Sequence, residues 1–268
     1  MKRVVVTCMG AISPLGNDWP AVERQLRARR NAVQTMHQWA VYDGLNTRVG
    51  APAAAFELPP NYNRKSTRSM GRVALMATRA SELALIDAGL IDHPLLNSGQ
   101  LGIAYGSSSG SPENMGDFGR MITEKTVEGI TATTYIRMMA HTAAVNIGVF
   151  FGITGRIIPT CSACTSGSQG IGYAYESIRS GRQIAMVAGG AEELDATEAA
   201  VFDTLFATSV RHNDSPERTP RPFDRDRDGL VLGEGAGRLV LEELEHAEAR
   251  GARIHAEIAG FGTNSDGC

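Results

Sequence analysis

Apolar and polar positions along the chain form two alternating kinds of block. Short β-branched runs predict strands at 2–7 (KRVVVT), 101–105 (LGIAY), 155–160, 184–189 (IAMVAG), 237–242 and 253–261. Longer amphipathic or small-residue runs predict helices at 18–30, 67–89, 135–150, 164–180 and 195–206, followed by the acidic helix LEELEHAEARG. Strands that alternate with helices are typical of a mostly parallel, layered α/β fold.

Local signals refine several of these elements. Asn17 is predicted to cap the helix at 18–30, and Gly89 to end the helix at 67–89. Ser111 followed by Pro112 indicates a helix N-terminus with proline at its first position. The run at 135–150 is rich in Met, Ala and Val, which predicts a largely buried helix.

Composition excludes several classes of protein. The chain has 268 residues, of which 43% are hydrophobic, enough for a substantial core. Its net charge is −3 and its pI about 6.1, which argues against nucleic-acid binding. The N-terminal apolar run is too short for a signal peptide, and no other run is long enough to cross a membrane. We therefore expect a cytoplasmic protein.

Cysteine and aspartate patterns do not indicate a metal site or a disulfide framework. The cysteines are Cys8, Cys161, Cys164 and Cys268, and the single CxxC lacks the second pair or the spaced histidines that zinc or redox chemistry requires. The run DRDRDG, beginning at Asp224, resembles the start of a calcium loop. Its twelfth position is Gly235 rather than the glutamate that would bind calcium through both oxygens.

Cys164 lies where a buried strand runs directly into a helix rich in Thr, Ser and Gly. A thiol at a helix N-terminus faces unpaired N–H groups and the positive end of the helix dipole, which favour a thiolate nucleophile. The many glycines cost helix propensity, so we expect close packing of this helix, or close approach to a substrate, to offset that cost. The alternative is that Cys164 is a small buried apolar residue. Cys161 is predicted to be structural.

Four motifs in a fixed order carry a resemblance to a known family. SACTSGSQGIG, which contains Cys164, resembles the active-site motif of the elongating β-ketoacyl-(acyl carrier protein) synthases. MKRVVVTCMGAISPLGN is similar to their N-terminal strand and turn, and IAMVAGGAEE to the strand that follows the nucleophile helix. The long run from TPRPFDRDRDG to FGTNSD is similar to their next loop, strand and helix, so the resemblance covers nearly the whole chain.

The resemblance implies a fold and a reaction. It implies the thiolase-like αβαβα fold, of which residues 1–268 would be the N-terminal domain: one βαβαβαββ half and the start of the remainder. Cys164 would accept an acyl group and condense it with a decarboxylated malonyl unit, in fatty-acid or polyketide/polyene biosynthesis. The implied partners are acyl carrier protein, acyl and malonyl thioesters, and a second synthase subunit in a homodimer or heterodimer. No cofactor or metal is implied.

The resemblance also assigns roles to residues outside the Cys164 motif. Ser108 and Ser109 would border the acyl tunnel, and Ser109 stands where fatty-acid synthases often carry a larger apolar residue. Arg64, Lys65 and Arg68 would dock the acidic carrier protein, although a solvated basic face is the alternative. Cys8 replaces a glycine of the family, which would strain a position that needs φ > 0.

The family's two catalytic histidines belong to motifs that this chain does not match. Its own histidines are predicted to be ordinary core or surface residues: His37, His93, His141, His212, His246 and His255. The chain is therefore expected to be a fragment of a longer enzyme, a natural split product, or an inactive relative. Two other functions stay open: an acyltransferase of the same fold without decarboxylation, and a non-catalytic partner subunit.

Overall fold

The computed structural model describes residues 1–267. The strands of this part are β1 (Val4–Ile12), β2 (Gln34–Thr35), β3 (Val49–Ala51), β4 (Leu101–Gly106), β5 (Ile157–Thr160), β6 (Ala185–Glu192), β7 (Leu232–Gly233), β8 (Gly235–Glu243) and β9 (Ala256–Glu257). Its α-helices are α1 (Trp19–Arg27), α2 (Arg64–Thr67), α3 (Arg72–Asp87), α4 (Met115–Glu124), α5 (Ala132–Met138), α6 (Thr142–Phe151), α7 (Ser166–Arg179), α8 (Ala196–Thr204) and α9 (Leu244–Ala249). Single turns of 3₁₀-helix lie at His37–Val41, Pro94–Asn97, Pro112–Asn114 and Pro216–Arg218.

The chain divides into two compact units. The larger unit contains Met1–Ala11, Glu57–Glu192 and the chain from Ala236 onward. Its six-stranded sheet has the order β5-β4-β6-β8-β1-β9, in which β4 is parallel to both β5 and β6, and β9 is antiparallel to β1. The predicted layered α/β fold is therefore confirmed, with a short antiparallel edge strand at one side.

Helices cover both faces of this sheet. On one face Ala174, Tyr175 and Ile178 of α7 pack against Val6, Ala104, Met186 and Leu241 in a common core. On the other face α6 lies so close that a Cβ on Gly148 would be 2.9 Å from Ile157 and 3.4 Å from Ile103. Because neighbouring residues on a strand point to opposite faces, Ile103 and Ala104 mark the two sides.

The smaller unit contains Ile12–Phe56 and Glu193–Gly235. Its sheet has the order β2-β3-β7, and Met36, Trp39 and Leu45 form its core with Ala196 and Ala199 of α8. Buried Asp203 holds the loop before β3, accepting hydrogen bonds from the backbone of Asn46 and Thr47 and from the Thr208 hydroxyl. Burial acts to raise the pKa of Asp203, but these hydrogen bonds outweigh it and the pKa is lowered.

The structure corrects several predicted helix boundaries. Asp18, not Asn17, caps α1 by accepting from Ala21 N at 2.7 Å, while Asn17 donates its amide to Ala55 O. The helix expected at 67–89 is α3, which begins only at Arg72 after the N-cap Gly71, and the separate short helix α2 ends at Thr67. Helix α3 ends as predicted, with Gly89 at φ +66°.

The helix predicted at 135–150 is two helices, α5 and α6. Most of α6 is buried, as predicted, including Ala144 and Ile147, whereas only Thr134 of α5 is buried. Tyr135, Ile136, Val145 and Val149 are all exposed. Earlier in the chain, Pro112 begins a 3₁₀ turn, as expected. The Ser111 hydroxyl does not cap this turn and instead accepts a hydrogen bond from Val73 N. The strand predicted at 253–261 is limited to β9. Within residues 1–267, no helix is long and apolar enough to span a bilayer.

Candidate active site

Cys164 lies on the short connection between β5 and α7. The sequence predicts a helix from residue 164, but α7 begins two residues later, at Ser166. Ala163, just before the cysteine, has φ +50°, a left-handed conformation that is unfavourable for a residue with a Cβ. The chain therefore turns sharply at Ala163, and Cys164 is an exposed free thiol at the mouth of the helix.

Two hydroxyl groups hold this corner. The buried Ser166 hydroxyl donates to Ala163 O at 2.6 Å and accepts from Ser162 N at 2.9 Å, so one side chain closes the turn on both sides. The Thr160 hydroxyl, at the end of β5, donates to Ser166 O at 2.8 Å. These bonds tie the last residue of the strand to the first residue of the helix across the loop that carries Cys164.

The small residues of α7 allow close packing, as the sequence predicted. A Cβ on Gly170 would lie 2.8 Å from Ala104 O and 3.0 Å from Gly189 O, and a Cβ on Gly167 would touch Gly190. At Gly170 only glycine lets α7 lie this near to β4 and β6, whereas the contact at Gly167 is an ordinary van der Waals distance. The first-turn N–H groups of a helix have no partner within it. In α7, however, Ser166 N donates to Ala163 O at 3.0 Å and Gln169 N donates to Thr165 O at 2.9 Å, so these two groups are already bonded to the loop that carries Cys164.

The serine-rich turn that follows β4 lies next to this corner. Ser107 N donates to Thr160 O at 3.2 Å, and Cys161 donates its thiol hydrogen to Ser108 O at 3.3 Å. Ser108 is exposed and Ser109 is half-buried. The structure thus brings Ser108 beside the segment that leads to Cys164; the tunnel role of Ser108 and Ser109 stays a prediction.

A cleft of about 500 Å³ lies beside the first turn of α7. It is lined by Thr165, Ser168, Gln169, Phe261, Gly262, Thr263 and Asn264. Phe261 forms the apolar end of this cleft, with its ring edge-on to Tyr173 at 6.1 Å. The cleft offers hydroxyl and amide groups from the residues that follow Cys164, and Cys164 itself is not among the residues that line it.

The predicted docking residues lie on a second surface. Arg64, Lys65 and Arg68 are exposed on α2 and the residue after it, and no ion pair of theirs occurs within the described residues. Lys65 and Arg68 line a groove of about 670 Å³ whose apolar wall comes from Ile136, Val149 and Phe150. Of the residues described, this groove shares none with the cleft beside Cys164.

Histidine side chains find partners away from Cys164 in the larger unit. His246 bonds to the Glu242 carboxylate at 2.9 Å, and the ring of His93 accepts from Leu95 N at 3.1 Å. Within residues 1–267, no group of three His, Cys, Asp or Glu side chains could hold a metal ion. The carboxylates of the DRDRDG run are engaged locally: Asp224 with Arg221, and Asp228 with Ser209 and two backbone N–H groups.

Cys8 does not strain its position. It lies inside β1 with ordinary strand backbone, completely buried, and donates its thiol hydrogen to Asp87 at 3.0 Å. Burial, together with the hydrogen bond to Asp87, raises the pKa of the Cys8 thiol to about 12. The expected strain was wrong because β1 continues past residue 7, so no left-handed turn falls at this residue.

Sequence reasoning missed Glu192, the last residue of β6. Its carboxylate accepts a hydrogen bond from Ser108 N at 2.6 Å and further bonds from Ser107 and Ser109. An acidic residue directly at the carboxyl end of a buried parallel strand was the available signal, because strand ends meet at one edge of the sheet.

These features define a layered α/β fold that carries an exposed thiol at a strand-to-helix turn, and the comparison with known families identifies the fold further. Residues 1–247 match the model of the β-ketoacyl synthase, N-terminal domain, and the chain belongs to this family. The fold is accordingly thiolase-like, as the sequence indicated.

Individual relatives place the chain more closely. It is 36% identical over 269 residues to 3-oxoacyl-[acyl-carrier-protein] synthase 1 of Escherichia coli K12, covering 100% of this chain and 66% of that relative. Synthase 2 of Vibrio cholerae O1 is also 36% identical, with 99% and 64% covered. The chain thus spans about two thirds of the length of these relatives.

Crystal and complex structures give the same picture. A β-ketoacyl synthase from Burkholderia phymatum STM815 is 57% identical, with a TM-score of 0.97 over 100% of this chain and 65% of that one. A type II PKS acyl-carrier protein in complex with its ketosynthase aligns with a TM-score of 0.79 at 27% identity, covering 97% and 62%. The latter shows a relative bound to a carrier protein.

Proposed function

We propose that this chain is the N-terminal, nucleophile-bearing domain of a β-ketoacyl-(acyl carrier protein) synthase. Cys164 attacks the carbonyl carbon of an acyl thioester, and the carrier thiol leaves. Malonyl-carrier protein then loses CO₂, and the resulting enolate attacks the Cys164 thioester. A carbon–carbon bond forms, the Cys164 sulfur leaves as thiolate, and the product is a β-ketoacyl thioester two carbons longer.

This proposal rests on the exposed thiol of Cys164, which lies just before the N-terminus of α7. A left-handed Ala163 presents Cys164 at a sharp strand-to-helix turn, directly before the N-terminus of α7, whose positive dipole end favours the negative charge of a tetrahedral intermediate. The cleft that includes Thr165, the residue after Cys164, is where we expect the thioester to approach. Acyl transfer to sulfur needs only these groups; decarboxylation needs others, which the resemblance assigns to motifs unmatched between residues 1 and 268.

The pathway is fatty-acid or polyketide/polyene biosynthesis, as in the relatives, and the acyl donor is an acyl carrier protein. Arg64, Lys65 and Arg68 form an exposed basic surface that suits an acidic carrier, and Ser108 and Ser109 border the acyl chain. The exposed apolar side chains of α5 and α6, Tyr135, Ile136, Val145 and Val149, suit a second synthase subunit.

The test of acyl transfer is the intact mass of the protein after incubation with an acyl-carrier thioester. We expect a gain of one acyl group in the native chain and in Cys161→Ser, and none in Cys164→Ser. Acylation of Cys164→Ser, or the absence of acylation in the native chain, would contradict the proposal. Adding malonyl-carrier protein to the acylated protein then separates the two related activities. Release of a β-ketoacyl product indicates condensation, and a stable acyl-enzyme indicates acyl transfer without decarboxylation.

The carrier surface is tested by reversing its charge. Lys65→Glu with Arg68→Glu should raise the half-saturating concentration of acyl-carrier protein roughly tenfold at low salt, and less at high salt, because rim charges mainly affect encounter. Acylation by a small acyl thioester without a carrier should be unchanged. Arg182→Glu, at an exposed arginine beyond α7, is the matched control. Equal effects of both changes would mean that the surface has no specific partner.

A further inference from the structure

Glu192 accepts hydrogen bonds from three consecutive serines. Its Oε1 accepts from the hydroxyls of Ser107 and Ser109, each at 3.0 Å, and from Ser109 N at 3.2 Å. Its Oε2 accepts from Ser108 N at 2.6 Å. A carboxylate that receives backbone N–H groups makes charge-assisted bonds, which are stronger than neutral ones. The turn after β4 is therefore wrapped around a carboxylate that comes from β6.

The opposite side of the same turn contacts the end of β5. Ser107 N bonds to Thr160 O, and Ser108 O accepts from the Cys161 thiol at 3.3 Å. The turn has little room to shift, because a Cβ on Gly110 would lie 2.1 Å from Met138 O. It therefore bridges Glu192 to the residues that lead into Cys164.

We propose that Glu192 is a positioning residue for acyl transfer to Cys164, an inference that rests on the function proposed above. It acts through the 107–109 turn: with Ser108 N fixed by Glu192, Ser108 O is aimed at Cys161 and holds the segment before the Ala163 turn. Loss of the carboxylate frees this turn and lets Cys164 leave its reactive geometry. Displacement of a reacting group by about 1 Å is enough to cost roughly 100-fold in rate.

Glu192→Gln is a conservative test, because an amide keeps the volume but offers only one acceptor oxygen. The glutamine NH₂ cannot accept a hydrogen bond. It therefore leaves without an acceptor either Ser108 N or the donors that bond to Oε1, which are the hydroxyls of Ser107 and Ser109 and the backbone N–H of Ser109. Ser109→Ala approaches the same contact from the turn and removes a single hydroxyl. Glu176→Gln makes the same chemical change at an exposed carboxylate on α7 and is the matched control.

The experiment measures single-turnover acylation of Cys164 by intact mass, over a range of acyl-thioester concentrations. Glu192→Gln should lower the maximal rate about tenfold or more while changing the half-saturating concentration by less than about twofold. Ser109→Ala should have a smaller effect, and the double variant should lose less than the product of the two single losses, because both act on one contact. Glu176→Gln should match the native protein.

A second readout does not depend on acyl transfer. Iodoacetamide rates at Cys164 and Cys161, resolved by peptide mass spectrometry, should shift relative to each other in Glu192→Gln and not in Glu176→Gln. If native Cys164 is never acylated, the proposed function fails and this ratio alone decides the positioning role. An unchanged ratio, or an acylation loss that follows the melting temperature and combines independently with Ser109→Ala, overturns the inference.

Discussion

The ring of Phe261 lies 2.2 Å from the point that a Cβ atom would occupy on Gly172. Phe261 belongs to the irregular segment after β9, and Gly172 is on the second turn of α7. Because Gly172 has no side chain, the ring of Phe261 packs directly against α7 at this residue. The same ring lines the cleft beside Cys164. One glycine of the SACTSGSQGIG motif is thus explained by tertiary packing.

Gly172→Ala should displace Phe261 and destabilise the protein by about 1–3 kcal/mol, as overpacking usually does. Gly116→Ala is the control, since α4 has open space at Gly116 and alanine favours helix by roughly 1 kcal/mol. Urea unfolding measures both changes. A Gly172→Ala protein as stable as the native one would show that Phe261 does not pack tightly against α7.

The buried carboxylate of Glu242 should make the stability of the protein depend on pH. Burial acts to raise its pKa, but hydrogen bonds from Arg250, Thr7 and His246 outweigh burial, and the pKa lies below its usual 4.5. A depressed pKa gives stability that is complete above the unfolded value and is lost as pH falls through the folded value. The free energy of unfolding should therefore decrease below pH 4.5.

Glu242→Gln should flatten this acid limb and, at neutral pH, destabilise the protein by about 3 kcal/mol, because Arg250 keeps a charge that has lost its partner. Glu245→Gln removes a carboxylate that is 81% exposed and should change little. Denaturant titrations from pH 3 to 8 measure both. A native-like acid limb in Glu242→Gln would contradict the assignment.

Thiol reactivity should divide the cysteines in two classes. Cys161 and Cys164 are exposed, whereas Cys8 is buried and its pKa is raised to about 12. At pH 8 we expect iodoacetamide to modify Cys161 and Cys164 in the folded protein, and Cys8 only at the rate of unfolding. Peptide mass spectrometry separates these sites from Cys268, which lies outside the described residues. Fast modification of Cys8 would mean that β1 opens locally.

The left-handed conformation of Ala163 should affect both the stability of the protein and the reactivity of Cys164. Ala163→Gly removes the cost of that conformation and should leave stability within about 1 kcal/mol of the native protein, because glycine also gains entropy when unfolded. Ala163→Val should destabilise by about 2 kcal/mol or more, since a β-branched residue resists positive φ. Cys164 alkylation should slow in the valine variant only. If Cys164 is alkylated at the same rate in Ala163→Val as in the native protein, the conformation of this turn does not control the reactivity of the thiol.

Sequence patterns predicted the strands of the larger unit and most of its helices, because period and β-branched content are local properties. They did not predict β2, β3 and β7, the two- or three-residue strands that form the sheet of the smaller unit. They also found the strand-to-helix corner at Cys164. They did not find the break at 139–141, which lies within a continuous run rich in Met, Ala and Val, and they placed the start of α3 five residues too early. They also missed Glu192, whose partners lie more than 80 residues earlier in the chain.

The three strand ends at the corner have a consequence for how this protein folds. In the sheet, β5, β4 and β6 are neighbours, although 50 or more residues separate β4 from the other two. The Cys164 loop, the serine turn and Glu192 cannot meet until both of these long-range pairings exist. Contacts of such high sequence separation form late and slowly. A chain that emerges from the ribosome therefore acquires its reactive thiol geometry only after most of the larger unit has already collapsed.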